Sequence, residues 1–247
     1  KDYVLFMLFI KYISDKYGDS DDFAPPVTIP KGASFQDMIA LKGKPDIGDQ
    51  INKKIIAPLA KANQQLSQAD FPDFNESNKL GDGPTKVERI GNLIAIFENP
   101  ALDFSKNRAE NDDILGDAYE YLMRHFATES GKSKGQFYTP AEVSRVMAKV
   151  LDLGSAQIGD SIYDPTCGSG SLLLKVHDEA RSRTRLDLAL YGQEMDNATA
   201  ALARMNMILH DCPTAEIWKD NTLANPHFKN ADGRLKTFDF VVANFPF

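Results

Sequence analysis

The residues best suited to chemistry lie in the second half of the chain, and the clearest group is residues 164–170, with the sequence DPTCGSG. A β-rich segment, Ser161–Asp164, precedes this group, and a helix-like segment beginning at Ser171 follows it. Gly168 and Gly170 allow the backbone to approach a ligand closely. Open parallel sheets bind ligands outside the carboxyl ends of their strands, where such a loop lies. The candidate binding residues of this loop are Asp164, Thr166, Gly168, Ser169 and Gly170.

Two common phosphate-binding loops differ from this one. A dinucleotide fingerprint requires a third Gly or Ala where this chain has Leu173, which disfavours a dinucleotide oxidoreductase. A P-loop continues with Gly-Lys-Ser/Thr, whereas this helix begins with Ser171 and Leu172. A plain structural turn is the remaining alternative. The acid, the glycines and the strand–turn–helix context together favour a cofactor loop over that turn.

Polar residues also follow the next two β-rich segments. Glu194 ends the second segment, and a carboxylate there can accept hydrogen bonds from ribose hydroxyls. Asp220 and Asn221 follow the third segment, and they can bind the amino edge of an adenine. Taken singly, Glu194 fits an exposed carboxylate equally well, and Asp220 with Asn221 fits an ordinary turn. Both positions are candidate cofactor contacts.

A helix start precedes the glycine loop in the sequence. Thr139 and Glu142 have the spacing of a capping box, and Pro140 suits the first helical position. A helix N-terminus also favours a nearby carboxylate, such as that of a methionine moiety. Capping explains these three residues but not the three that precede them, Gln136, Phe137 and Tyr138. We therefore take residues 136–139 as candidate cofactor residues.

The last four residues, Asn244, Phe245, Pro246 and Phe247, follow a fourth β-rich segment. The exocyclic amino group of a base is a poor nucleophile, because its lone pair is delocalised into the ring. The Asn244 side-chain oxygen and the Phe245 backbone carbonyl can accept its two hydrogens. Phe247 can stack on a base flipped out of its duplex. Such acceptors would supply most of the catalysis by positioning, without an ionisable general base. A hydrophobic turn is the alternative.

The first 128 residues have the pattern of an all-α helical domain. Apolar residues recur at helical spacing in four main stripes, which begin at Val4, Ile51, Val87 and Ile114. Ser34 followed by Asp37 indicates a helix start, and Pro58 is expected to kink the second stripe. This half carries no catalytic pattern, so packing and partner docking are its expected roles. The polar, glycine-containing residues 129–135 form the predicted linker.

Residues 136–247 alternate short β-rich segments with helices, which predicts a parallel, doubly wound sheet of the Rossmann-like α/β class. The candidate strands are Ser161–Asp164, Leu188–Glu194, Ala215–Trp218 and Phe238–Ala243. The candidate helices lie near residues 140–152, 171–183 and 197–211. All of the candidate site residues then lie at or near element ends, where this architecture places its ligands.

Composition narrows the class of protein. The chain is 43% hydrophobic and 26% charged, as in ordinary globular proteins. Its two cysteines and scattered histidines indicate a reduced, cytoplasmic protein without a metal site. The longest apolar run, Tyr3–Ile10, is far shorter than the roughly 20 residues that span a membrane. The net charge of −7 disfavours unaided binding of DNA, so clustered basic residues or a partner must supply that contact.

The order and spacing of the candidate sites resemble those of the gamma arrangement of amino-methyltransferases. In that arrangement a cofactor motif precedes the glycine loop, and an Asn-Pro-Pro-Phe/Tyr motif follows it. The segments GQFYTP and DPTCGSGSLL, with the helical opening YVLFMLFIKYISDK, specifically resemble the modification subunit of a type I restriction-modification system. This resemblance covers essentially the whole chain.

The resemblance implies a site-specific DNA methyltransferase that moves a methyl group from S-adenosyl-L-methionine to adenine N6. It implies that a separate specificity subunit reads the DNA sequence, in a complex with two modification subunits that can recruit a restriction subunit. It implies that the cofactor is held by Phe137, Thr139, Asp164, Gly168 and Glu194, with Asp220 on its adenine. It implies that the methyl-acceptor site comprises Asn244, Pro246 and Phe247.

Two departures from the family pattern bear on activity. Phe245 replaces the first Pro of the acceptor motif, but the acceptor there is a backbone carbonyl, so we expect the site to survive. The lost rigidity of that Pro is expected to weaken it. The four candidate strands are fewer than those of a complete methyltransferase sheet, so the sheet is expected to be truncated here. An inactive fragment of an active enzyme is therefore one open interpretation.

Three other functions are alternatives to DNA adenine methylation. Protein-glutamine N5 methyltransferases also use an Asn-Pro-Pro-Tyr motif, although the long helical half argues against that substrate. A non-catalytic interaction module would bind no cofactor. Cytosine C5 methylation uses a Cys after a Pro near the fourth strand, whereas Cys167 lies in the glycine loop and fits a small buried residue.

Overall fold

A computed structural model describes residues 2–18, 25–106, 121–122, 125, 139 and 141–245. The chain divides into two compact units, Lys1–Tyr119 and Glu120–Phe247. The predicted linker, residues 129–135, lies outside the described residues, as does most of the stripe that begins at Ile114. The boundary proposed from the sequence therefore stays a prediction. None of the helices in the described ranges is long and apolar enough to cross a membrane.

The described part of the first unit is helical, which confirms the predicted all-α class. Its α-helices are α1 (Asp2–Tyr17), α2 (Phe35–Ile39), α3 (Ile47–Gln50), α4 (Ala57–Ala62), α5 (Ser77–Leu80) and α6 (Gly83–Phe97). A π-helical turn, Ile51–Ile56, joins α3 to α4. This irregular segment ends two residues before Pro58, whose missing N–H cannot continue the helical hydrogen bonds.

Helix α1 is the centre of the first unit. It is buried almost all round, as expected for a helix whose sequence is apolar on every side. Tyr3 and Phe6 make edge-to-face contacts with the ring of Phe74. The predicted start of α2 is confirmed, because the Ser34 hydroxyl accepts from the Asp37 N–H at 3.2 Å and the Asp37 carboxylate accepts from the Ser34 N–H at 3.0 Å.

The second unit contains a four-stranded parallel sheet, as the alternation of segments predicts. Its elements are α7 (Ala141–Val150), β1 (Ser161–Asp164), α8 (Ser171–Thr184), β2 (Ala189–Glu194), α9 (Asn197–Leu209), β3 (Glu216–Lys219) and β4 (Phe240–Val241). The strand order is β3-β2-β1-β4. Strand β4 is shorter than the predicted Phe238–Ala243, because Phe238 instead packs in the aromatic layer. Its ring stacks on the ring of Tyr163, with 4.5 Å between the two ring centroids.

The two faces of the sheet bury different residues. Ile162 and Leu190 are register partners and lie in the aliphatic core with Leu173 of α8. Tyr163 and Tyr191 are the next register partners and therefore share the opposite face. The connection from β3 to β4 covers that face with aromatic rings, and Phe228 contacts both tyrosines edge-on.

Gly192 fixes how closely the glycine loop approaches the sheet. It lies in β2 opposite Asp164, and a Cβ at this position would lie 2.9 Å from the Cys167 Sγ and 2.8 Å from the Ile217 Cδ1. Both neighbours are buried, so neither can move aside easily. Any larger side chain would lift the loop from the end of β2.

We therefore predict that Gly192→Ala lowers the unfolding free energy by about 1–3 kcal/mol through overpacking. Gly154→Ala is the matched control, because a Cβ there meets no atom within 4 Å and Gly154 is exposed. Its effect should stay within about 0.5 kcal/mol. Urea unfolding of the three proteins measures both values. Equal stabilities for the two variants would contradict this packing role.

Candidate functional site

The polar residues predicted from the sequence meet at one edge of the sheet. Asp164 ends β1, Glu194 ends β2, and Asp220 directly follows β3. Asn244 lies three residues beyond β4. Because all four strands are parallel, their carboxyl ends share this edge, where open α/β sheets bind ligands. The candidates Gln136, Phe137, Tyr138, Pro246 and Phe247 lie outside the described residues.

The glycine loop is tied to the neighbouring strand by its backbone. The Cys167 N–H donates to the Gln193 carbonyl at 3.0 Å, and the Gly170 N–H donates to the Cys167 carbonyl at 2.8 Å. Gly170 has a φ of +80°, and a Cβ there would lie 2.4 Å from the Met207 Cε. Its left-handed conformation favours glycine, and a side chain there would also have to displace the flexible end of Met207. The loop conformation follows from these contacts.

Gly168 differs from Gly170 because space is open beside it. Its φ is +56°, yet a Cβ at Gly168 would meet no atom within 4 Å. A ligand can therefore approach the backbone here. The Gly168 N–H donates to the Glu194 Oε2 at 3.0 Å, and the Asp196 N–H donates to the Glu194 Oε1 at 2.9 Å. These bonds fix the Glu194 carboxylate and leave each of its oxygens a further lone pair for a ligand hydroxyl.

A buried polar cluster contacts the glycine loop at Ser169. Asn206 of α9 is fully buried, and its Nδ2 donates to the Ser169 carbonyl at 3.1 Å. The Ser169 and Ser171 hydroxyls lie 2.8 Å apart. The sequence analysis missed Asn206, because an asparagine inside an apolar helix has no local signal for a contact 37 residues away. This cluster buries the Ser169 side chain, so a ligand contact proposed for Ser169 would come from its backbone.

Asp164 is a buried carboxyl group with an unusual protonation equilibrium. Burial, with a smaller contribution from the nearby charge of Glu194, raises the pKa of Asp164 from 3.8 to about 7. The Thr166 N–H, which donates to the Asp164 Oδ1 at 2.9 Å, opposes this shift. A cation bound beside Asp164 would lower the pKa again by favouring the charged form. The site is therefore suited to a positively charged ligand group.

Asp220 and Asn221 form a turn after β3. The Asp220 carboxylate accepts from the Asn221 N–H and from the Asn225 Nδ2, both at 2.7 Å. These hydrogen bonds lower the pKa of Asp220, so the group is an anion at neutral pH. The Asn221 Oδ1 accepts from the N–H groups of Leu223 and Ala224 at 3.0 Å. The oxygen of Asn221 thus closes the turn, and the Asp220 N–H donates to the Glu194 carbonyl at 3.0 Å, so the two acids end neighbouring strands side by side.

Two exposed apolar side chains accompany these acids. Met195 follows Glu194 and is 64% exposed, and Leu223 is 96% exposed. The Met195 Sδ lies 3.6 Å from the Asn221 Nδ2, so the two strand ends are close. The sequence analysis did not select either residue. The sequence offered one signal for both: an apolar residue lies in the turn after each acidic strand end. A flat aromatic ring can bind between two such side chains.

Asn244 is held by residues from two other segments. Its Nδ2 donates to the Thr139 Oγ1 at 3.3 Å. Its backbone carbonyl accepts from the Thr166 Oγ1 at 3.5 Å. Phe245 follows with 57% of its surface exposed. The structure therefore brings Thr139, the glycine loop and the described part of the predicted acceptor motif together.

The raised pKa of Asp164 predicts how stability depends on pH. Between about pH 4 and 7 the unfolded chain loses a proton that the folded protein keeps, so the unfolding free energy falls as the pH rises through this window. Asp164→Asn removes this titration and keeps an oxygen for the Thr166 N–H. We expect the stability of the variant relative to the natural protein to rise between about pH 4 and 7. Urea unfolding across that range measures the difference, and a pH-independent difference would contradict the assignment.

The strand order, the glycine loop and the strand-end acids define a Rossmann-like methyltransferase fold preceded by a helical unit. Comparison with family models agrees: residues 110–247 match the N-6 DNA Methylase family, and residues 1–97 match the HsdM N-terminal domain. The chain belongs to the N-6 DNA methylase family. The family resemblance and the fold class predicted from the sequence are both confirmed.

Individual relatives agree with this family. The type I restriction enzyme MpnII methylase subunit of Mycoplasma pneumoniae is 36% identical over 82% of this chain and 38% of its own length. The type I restriction enzyme MjaVIII methylase subunit of Methanocaldococcus jannaschii is 37% identical over 74% of this chain and 31% of its own length. The crystal structure of the type I restriction-modification system methyltransferase subunit from Streptococcus thermophilus matches with a TM-score of 0.76 and 25% identity, over 98% of this chain and 57% of that one. The chain spans less than half the length of these two curated relatives.

Proposed function

We propose that the protein containing this chain methylates adenine N6 in DNA as the modification subunit of a type I restriction-modification complex, with S-adenosyl-L-methionine as the methyl donor. The observation that carries the proposal is the position of Asn244 beside the glycine loop. Its amide and its carbonyl are both held at the ligand-binding edge, where they contact Thr139 and Thr166. Methyl transfer requires a donor site and an acceptor site that meet in this way.

The proposed cofactor contacts follow from the chemistry of each residue. Glu194 accepts from the ribose hydroxyls, and its two backbone donors hold the carboxylate in the required orientation. Asp220 accepts from the adenine amino group, while Met195 and Leu223 pack against the faces of the ring. The open space beside Gly168 admits the ligand, and the buried Asp164 favours its positive charge. Further contacts proposed from sequence are Gln136, Phe137, Tyr138, Thr139, Thr166, Ser169, Gly170 and Asn221.

When bound, the cofactor supplies an electrophilic methyl group, and the protein positions the nucleophile. The Asn244 Oδ1 and the Phe245 carbonyl accept hydrogen bonds from the amino group of the target adenine, which directs its nitrogen toward the methyl. The base reaches them only after it leaves the duplex. The proposal also assigns stacking on the extruded base to Phe247, and restriction of the backbone between Phe245 and Phe247 to Pro246.

The proposed partners divide the work of binding DNA. The net charge of −7 provides little attraction for phosphates, so most of the DNA contact is assigned to a specificity subunit. A second modification subunit and a restriction subunit complete the proposed complex. The relatives reported above are subunits of type I restriction enzymes, which supports the same assembly here.

The acceptor assignment predicts the effect of Asn244→Ala. Loss of an oriented hydrogen-bond acceptor should lower kcat by about 100-fold or more, while the Kd for S-adenosylmethionine changes little. The measurement is formation of N6-methyladenine in unmodified DNA by the complete complex. Asn230→Ala is the control, since Asn230 is exposed in the connection before β4.

The two negative results of this experiment contradict different proposals. A natural complex that forms no N6-methyladenine would contradict the proposed function itself. Full activity of Asn244→Ala would contradict only the acceptor site.

A further inference from the structure

The two ends of the Asn244 side chain are not equivalent for methyl transfer. A carboxamide has a donor end and an acceptor end of nearly the same shape, so rotation by half a turn exchanges them. The target amino group has two hydrogens to donate, and it needs the oxygen end. The nitrogen end facing the target would instead place two donors against each other. The site therefore needs a group that selects one orientation of the amide.

Thr139 provides such a group. Its Oγ1 lies 3.3 Å from the Asn244 Nδ2 and accepts a hydrogen bond from it. This contact occupies the donor end of the amide and leaves the Oδ1 end for a substrate. Thr139 is half-buried, so water competes with this contact less than at a fully exposed side chain.

Both partners of this contact are anchored independently. The Ser144 hydroxyl, which is fully buried on α7, donates to the Thr139 carbonyl at 3.4 Å. The Thr166 hydroxyl donates to the Asn244 carbonyl at 3.5 Å. Thr166 is in turn attached to Asp164 through its N–H. Because each backbone is held separately, the bond between the side chains can orient the amide rather than simply join two loops.

We infer that Thr139 is a positioning residue for methyl transfer: its hydroxyl holds the Asn244 Nδ2 and so turns the Asn244 Oδ1 toward the amino group of the target adenine. The inference rests on the proposed function and adds to it. It assigns Thr139 a role at the acceptor, beyond the cofactor contact that its motif implies. The same residue then links the cofactor side of the site to the substrate side.

Three substitutions at Thr139 test this role. Thr139→Val keeps the shape and removes the hydroxyl, Thr139→Ala removes it in a smaller side chain, and Thr139→Ser restores it. Thr214→Val is the matched control, because Thr214 is exposed in the loop before β3. The complete methylase complex is assayed with unmodified DNA. The assay gives kcat and the KM for S-adenosylmethionine, titration calorimetry gives the cofactor Kd, and thermal melting establishes that each variant is folded.

The expected result is a kcat lowered by about 10- to 100-fold in the Val and Ala variants, with a cofactor Kd within about threefold of the natural value. The Kd should change little because the cofactor contact proposed for this helix start uses backbone N–H groups, which the substitutions keep. Thr139→Ser should recover most of the kcat. A structural role alone would not give this split between kcat and Kd with recovery by serine.

Other results would overturn the inference. An unchanged kcat in Thr139→Val and Thr139→Ala, or a loss confined to the cofactor KM and Kd, would show that Thr139 does not orient Asn244. Both results leave the proposed function intact. Absence of methylation by the natural complex would overturn the proposed function and this role together.

Discussion

The hydrogen bond from the Gly168 N–H to the Glu194 carboxylate is the constraint on which the site depends. It joins the loop after β1 to the end of β2, and the bond from the Cys167 N–H to the Gln193 carbonyl reinforces it. Gly192 permits this close approach, because a Cβ there would collide with the Cys167 side chain. The carboxylate thus orders the loop and is oriented by it, which prepares both for a ligand before binding.

The sequence predicted the architecture well, because its signals for the architecture are local. Alternating β-rich and helical segments defined the parallel sheet, and β1 was predicted at its observed bounds, Ser161–Asp164. The site could be predicted in part for the same reason, since residues that follow parallel strands share one edge whatever their separation in sequence. Glu194 and Asp220 needed no knowledge of packing to be selected. Strand β4 was predicted too long, because Phe238 has the composition of a strand residue but packs in the aromatic layer.

The remaining features depend on tertiary contacts that no local pattern encodes. The hydrogen bond between Thr139 and Asn244 spans 105 residues, and helix capping already accounts for a threonine at that position. The pKa of Asp164 depends on burial, which the sequence does not report. Met195 reads as an ordinary core residue until its exposure is known. Sequence thus indicates which groups meet, while the structure indicates how each group is oriented.

The proposed cofactor site binds S-adenosylmethionine through the Glu194 carboxylate. Titration calorimetry of S-adenosylmethionine into the 247-residue chain tests it most directly. We expect saturable one-to-one binding that Glu194→Ala weakens by about tenfold or more, because both the ribose acceptor and the hydrogen bond to Gly168 are lost. Glu216→Ala, at an exposed glutamate of β3, should bind like the natural chain. Equal affinities for the natural chain and Glu194→Ala, or no binding to the natural chain, would contradict the proposed cofactor site.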